Sequence, residues 1–222
     1  MKSESNKLAV RGELALIAMV IMNSAGVLLM LHSGSGISAI SSVPYGFQQV
    51  FPQLTLGTWT YMFQGLLVLV LMLLRRKFIP SYLFSFVVGF VFGKLMDLEK
   101  PFIDALPLNI PMRVLYFVLS YLILCFGISL GNRCGLPITP TDLFPREMAD
   151  ITKLPYARVK ITFDLTCLIT TAVITFVGVG AIRGLGIGTV VAACTMGKGI
   201  AFIGSLLDKR LTFHSVLNSQ EV

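Results

Sequence analysis

Four side chains stand out because their chemistry conflicts with their surroundings. Asp164, Lys198, Lys94 and Asp142 lie within or beside long apolar stretches. An ionised group there is costly and faces a cavity or a partner rather than lipid. Asp164 is about one and a half helical turns into its stretch, roughly 9 Å beyond Arg158 at 1.5 Å per residue. A desolvated carboxylate at that depth can couple proton or cation movement. The plainer alternative is a helix-start carboxylate paired with Lys160 four residues earlier. Lys198 lies deeper, about 20 Å below Leu185. It can hold a fixed positive charge toward an anionic solute, act as counter-ion to Asp164, or serve only as a structural pair. Lys94 is nearer the end of its stretch and can snorkel outward. Asp142 follows Pro140-Thr141, a setting that suits a helix N-cap as well as a gating or binding role.

Neutral groups extend this candidate binding set. Asn23 and Gln64 fall near the middle of apolar stretches, where an amide bridges helices or meets a polar solute. Gly186-Ile187-Gly188-Thr189 opens another stretch. It can offer free backbone N–H groups to an anion, or its glycines can let helices approach closely. The expected substrate contacts are therefore Lys198, Asp164, Gln64, Asn23, Asp142, Thr141, Gly188, Thr189 and Lys94. Gly89, Gly93, Ala193 and Gly197 form small-xxx-small pairs and read as packing. Arg146 and Glu147 read as solvent-edge residues.

Catalysis is not expected. His32 and His214 have no metal-ligand spacing, no serine sits in a nucleophile elbow, and no phosphate-binding loop occurs. The four cysteines, Cys125, Cys134, Cys167 and Cys194, form no CxxC pair. No cofactor and no metal is expected.

The elements that position these residues follow from composition. The chain has 222 residues, is 55% hydrophobic and only 13% charged, with a mean hydropathy of +0.82. The charged share is about half that of a soluble domain. This excludes a soluble globular domain, a disordered chain and a disulfide scaffold, and leaves an all-α polytopic membrane protein. Six stretches are long enough to cross a bilayer: Leu14–Leu31, Leu54–Leu74, Phe78–Met96, Ile110–Leu130, Val159–Gly178 and Leu185–Leu207. The residues before Leu14 lack a signal-peptide pattern. With the N-terminus inside, 13 Lys and Arg fall on the inner side and three on the outer. That split puts both termini in the cytoplasm. The net charge of +7 is thus read as topology, not as nucleic-acid binding.

Two connections are neither free loops nor spans. Residues 33–53 carry no charge yet are broken by Gly and Pro, and residues 133–158 begin with a similar Gly-containing turn. Irregular backbone at membrane depth survives only where protein or a watery cavity covers it. Both segments are expected to be re-entrant or interface-lying and to line a cavity. They also suggest duplication. Gly36 aligns with Gly135, Ser42 with Thr141, Phe63-Gln64 with Phe163-Asp164, and Gly93-Lys94 with Gly197-Lys198. The expected organisation is a cytoplasmic N-terminus (1–13), a first three-span repeat (14–109), a second (110–207) and a cytoplasmic tail (208–222). Three spans per repeat is odd, so the second repeat enters the membrane inverted, as in many secondary transporters.

The stretch GISLGNRCGLPITPTDLFPREM, with KITFD and GLGIGTVVAACTMGKG after it, resembles the YczE/YyaS/YitT-type bacterial integral membrane proteins. The matching residues are Gly135, Pro140, Asp142, Asp164, Gly186, Gly188 and Thr189. The first half departs from the pattern, with Val43 where the second half has Asp142. The resemblance implies a bacterial inner-membrane transporter and no particular substrate.

The reading from sequence is therefore a secondary transporter for a small anionic metabolite. Its rivals are a substrate-capture subunit served by a separate ATPase, and a membrane enzyme or assembly protein. The expected partners are a small-molecule substrate and the lipid bilayer. Nucleic acid is excluded, and a homodimer stays open. A topology reporter fused to the C-terminus should be active only in its cytoplasmic form; periplasmic activity would overturn the six-span, N-in topology.

Overall fold

A computed structural model describes residues 8–214. It contains eight helices: α1 (Gly12–His32), α2 (Ala39–Val50), α3 (Leu56–Arg75), α4 (Pro80–Asp104), α5 (Ile110–Gly131), α6 (Pro140–Thr152), α7 (Tyr156–Val179) and α8 (Ile187–Arg210). Six of them, all but α2 and α6, are long and apolar enough to cross a membrane. The chain is an all-α polytopic membrane protein. The sequence reading included no strand, yet β1 (Leu8–Arg11) pairs in parallel with β2 (Leu211–His214). That ribbon joins the start of α1 to the end of α8, so both lie on one face of the bundle.

Local chemistry sets the helix ends. The Thr55 hydroxyl accepts from the Thr58 N–H at the start of α3, and the Asn109 side chain accepts from the Met112 N–H at the start of α5. These caps satisfy donors that an isolated helix end leaves free. Asp97 of α4 reaches the same α3 terminus, accepting from the Gly57 N–H at 3.0 Å and the Thr55 hydroxyl at 2.7 Å. α4 thus runs on to Asp104, past the Met96 boundary read from hydropathy. Its last two turns carry polar groups that an apolar window ends on.

The two broken segments each hold a short helix. α2 has 12 residues and α6 has 13, or about 18–20 Å of rise, too little to cross a hydrocarbon core of about 30 Å. Each carries an internal proline, Pro44 or Pro145, and both are packed among long helices. α2 lies on α7 and α3, and α6 lies on α3 and α7. α1 and α5 pack together at the centre, with α4 on α1 and α8 on α5.

Burial follows one pattern in both halves. In α1, Ala15, Met19, Asn23, Ser24 and 26–30 are buried, and in α5 so are Tyr116, Ser120, Leu124, Cys125 and 127–131, each 101 residues later. The same spacing relates Ser41 and Pro44 to Asp142 and Pro145. It shifts the sequence alignment by two: Ser41, not Val43, stands where the second half has Asp142. Thr60, Gln64, Leu67 and Leu71 match Lys160, Asp164, Cys167 and Thr171 at a spacing of 100. Ser85, Gly89, Phe92 and Met96 match Thr189, Ala193, Met196 and Ile200 at 104.

One seam departs from this likeness. α3 and α4 meet at Gly57 and Gly93, where a Cβ on Gly57 would lie 2.0 Å from the Gly93 carbonyl oxygen. At Gly197, the position corresponding to Gly93, a Cβ would meet nothing within 4 Å. Gly197 is therefore not a packing glycine, contrary to its small-xxx-small spacing. Gly57→Ala should lower stability in detergent by about 1–3 kcal/mol, the usual cost of overpacking. Gly197→Ala should stay within about 0.5 kcal/mol of the parent. Thermal unfolding of the two variants checks this; equal losses would refute the asymmetric seam.

Candidate functional site

The N-terminal ends of α2 and α6 converge on one internal cavity of about 40 Å³. One end supplies Ser38, Ala39, Ile40 and Ser41, and the other Thr139, Thr141 and Asp142. The wall is completed by Asn23 of α1, Lys160 and Asp164 of α7, and apolar side chains of α4, α5 and α8. The volume holds about three waters, at 10–15 Å³ for each probe-sized position.

The two helix ends differ chemically. Neither is capped by a side chain; first-turn N–H groups of α2 are left to the cavity, whereas at α6 Pro140 has no N–H and the Asp142 N–H donates to the Thr139 carbonyl at 3.0 Å. α2 has no acidic residue in its first turn, whereas α6 has Asp142. The Asp142 Oδ2 accepts from the Thr139 hydroxyl at 2.9 Å. The partial positive charge of the α6 terminus is thus offset by its own carboxylate, and that of α2 is not.

Lys160 and Asp164 form the charged centre. Lys160 Nζ donates to both carboxylate oxygens of Asp164, at 2.6 and 2.7 Å, and the two residues are 3% and 2% exposed. The plainer sequence alternative, an i,i+4 pair, is thus the observed geometry, but the pair is buried and lines the cavity. Lys160 is not among the substrate contacts expected from the sequence, which names it only as a possible partner of Asp164. Its signal was its place one turn before Asp164, on the same face of α7.

Asn23 lines the cavity with its Oδ1 buried and unpartnered among the described residues. Gly127 makes room for it: a Cβ there would lie 2.1 Å from that oxygen. Asp142, Thr141 and Asp164 reach the same cavity. Gln64 does not line it. It is fully buried against Gly89, where a Cβ would lie 1.9 Å from Oε1, and Pro140 lies against the same glycine.

Besides Gln64, four expected residues are elsewhere. Lys198 is exposed on α8 and does not line the cavity. The helical phase decides this, because Met196 and Ile200 turn inward and carry Lys198 to the opposite side. Lys94 is exposed on α4 and lies over the rings of Tyr61 and Phe90, at 5.7 and 5.6 Å from their centroids. Gly188 and Thr189 serve close packing. A Cβ on Gly188 would lie 2.7 Å from the Ser35 Cβ, and the Thr189 hydroxyl accepts from the Gly186 N–H at 3.3 Å.

Two grooves lie at the helix ends, one beside the ends of α5 and α6 and one beside the ends of α1 and α4. One, of about 420 Å³, is lined by the 132–138 connection with Leu143, Arg146 and Glu147. Ile138 and Leu143, both buried, stand between it and Thr139 and Asp142. The other, of about 410 Å³, is lined by His32, Tyr45, Gln48 and Asp104. Beside each groove a polar contact joins the end of the first helix of a half to the end of its fourth. These pairs are Arg133 with Asp208 at 2.6 Å, and His32 with Asp104 at 3.9 Å. α6 is further tied to α3 and α4, since Arg75 donates to Glu147 and Asp150 at 2.7 Å and the Tyr82 hydroxyl donates to Glu147. The Arg75 hydrogen bond holds the Asp150 carboxyl below its ordinary range. Arg146 is exposed, as expected, but Glu147 is part of this tie.

Residues 10–205 match the family of unknown function DUF6198. The chain belongs to that family. No curated protein and no solved structure is similar enough to count as a match. The family match does not connect the chain to the YczE/YyaS/YitT-type proteins, and membership assigns no chemistry, so the DUF6198 site must be argued from its geometry.

Removing one partner of a buried pair typically costs about 3–5 kcal/mol, because the other charge stays uncompensated. Lys160→Met alone should destabilise the protein by that amount, and Lys160→Met with Asp164→Asn should recover most of it. Chemical unfolding of the three variants checks the coupling; additive losses would refute it.

Proposed function

We propose that the chain is a secondary transporter of the bacterial cytoplasmic membrane that moves a small anionic metabolite by alternating access. The observation that carries this reading is the meeting of two short helices from different halves, N-terminus first, on a cavity whose wall contains the buried Lys160. Helix N-termini present N–H donors and partial positive charge, the chemistry an anion needs. The sequence reading gave the positive role to Lys198; here it belongs to Lys160.

Alternating access is supported by the exchange of contacts. α2 packs on α7 while α6 packs on α3, and the burial spacing recurs through all four helices of each half. With three spans per half, the halves are inverted repeats about the α1–α5 contact. Rocking of one half on the other would open either groove to the cavity in turn. The pairs Arg133–Asp208 and His32–Asp104 stand where each opening would part. Both termini lie in the cytoplasm on this reading, and the chain acts by movement of solute rather than by catalysis.

The test uses the purified protein alone in liposomes, in a variant with its four cysteines replaced and Ser41→Cys added. A membrane-impermeant thiol reagent should label Cys at position 41 from either side, and labelling should block solute flux. Protection from both sides under all conditions would overturn alternating access. Flux that requires an added ATPase would favour the capture-subunit reading.

A further inference from the structure

The charges around the cavity set a condition on any anion that enters it. Lys160 is the cation on the cavity wall, and both oxygens of Asp164 already occupy it. An anion can take Lys160 only if Asp164 lets go. A released carboxylate would then stay ionised beside the anion and beside Asp142, in a space that holds about three waters. Like charges that close in a low dielectric are strongly unfavourable. The condition is removed if Asp164 takes a proton as the anion arrives.

We propose that the cavity binds a monovalent oxyanion of about four heavy atoms together with one proton, the proton going to Asp164 and the anion replacing Asp164 on Lys160. This rests on the transport reading for its consequence, proton-coupled anion movement, but the binding step stands by itself. The exchange is balanced. One O–H bond forms on the Asp164 carboxyl, and the Lys160 N–H donors turn from Asp164 to the anion. The net charge in the cavity does not change, and nothing is oxidised or reduced. The anion also meets the uncapped first turn of α2, where Ser41 is buried and no acidic side chain competes. A cavity of about 40 Å³ suits an ion the size of nitrate, formate or nitrite.

Other titratable groups bear on Asp164. Lys160, Tyr156 and Cys167 share its helix, Asp142 faces it from α6, and Cys125 faces Lys160 from α5. The cavity wall from α1, α2, α4 and α8 is uncharged, with Asn23, Ser38, Ser41, Phe92 and Met196. Asp142 is the one other carboxylate on the wall, and its Oδ2 is held by Thr139.

The experiment measures binding of nitrate, formate and nitrite, all ionised throughout the range, to the purified protein by thermal stabilisation at pH 5.5 and pH 8. Calorimetry in buffers of different ionisation heat counts the protons taken up. At least one anion should bind with about one proton, its affinity falling about tenfold for each pH unit over which Asp164 is ionised. Asp164→Asn, which resembles the protonated acid, should keep the anion, lose the proton uptake and bind equally at both pH values. If this variant fails to fold, the pH dependence and proton count of the wild-type protein decide the matter. Wild-type binding that does not depend on pH, loss of anion binding in Asp164→Asn, or no stabilisation by any of the three anions at either pH would overturn the proposal. Binding with proton uptake but no flux in liposomes would instead remove the transport reading and leave the site.

Discussion

A helix end in hydrocarbon has no water to satisfy its free N–H groups, and this constraint governs the arrangement. Two such ends, those of α2 and α6, lie inside the bundle. They are tolerable only because long helices surround them and because a polar cavity meets them. α1 and α5 supply the central partition, and α3 and α7 each carry a short helix of both halves. The internal prolines Pro44 and Pro145 fit the same logic. A proline in a helix leaves a carbonyl unpaired, so these helices need protein cover along their length.

The two halves share a pattern of burial but not of charge. Where α3 buries Thr60 and Gln64, α7 buries Lys160 and Asp164. Where α2 has Ser41, α6 has Asp142. The ionisable chemistry is concentrated in the second half, while the first supplies neutral amides, hydroxyls and an uncapped helix end. A cavity built this way holds one ammonium and two carboxylates without symmetric repulsion. The two mid-span lysines noted from sequence, Lys94 and Lys198, stay outside it, on exposed faces of α4 and α8.

The seams differ in the same asymmetric way. Gly57 and Gly93 bring the backbones of α3 and α4 into contact, whereas Gly197 leaves open space on α8. α6 is tied by Arg75 to Glu147 and Asp150, charged contacts that water and salt weaken. α2 is held by buried contacts, including the Ser42 and Thr171 hydroxyls 2.7 Å apart. Both short helices are held by buried packing, and α6 adds part-exposed charged ties to it.

The sequence by itself determined the class, the six spans and the two interrupted segments. Each follows from local composition: apolar length against bilayer thickness, and Gly and Pro where a helix cannot continue. It also marked Asp164, Asp142, Thr141 and Asn23, because a polar group in an apolar run is anomalous wherever the run is placed. Tertiary structure alone decided which anomalies meet. Lys198 and Lys160 are both lysines in or near apolar helices, but helical phase turns the first outward with its neighbours Met196 and Ile200 inward. The second shares the buried face of Asp164. The glycines of the Gly186–Thr189 turn could equally have served a ligand or a close contact. Only the approach of the Ser35-Gly36 backbone, which no local pattern encodes, assigned them to contact.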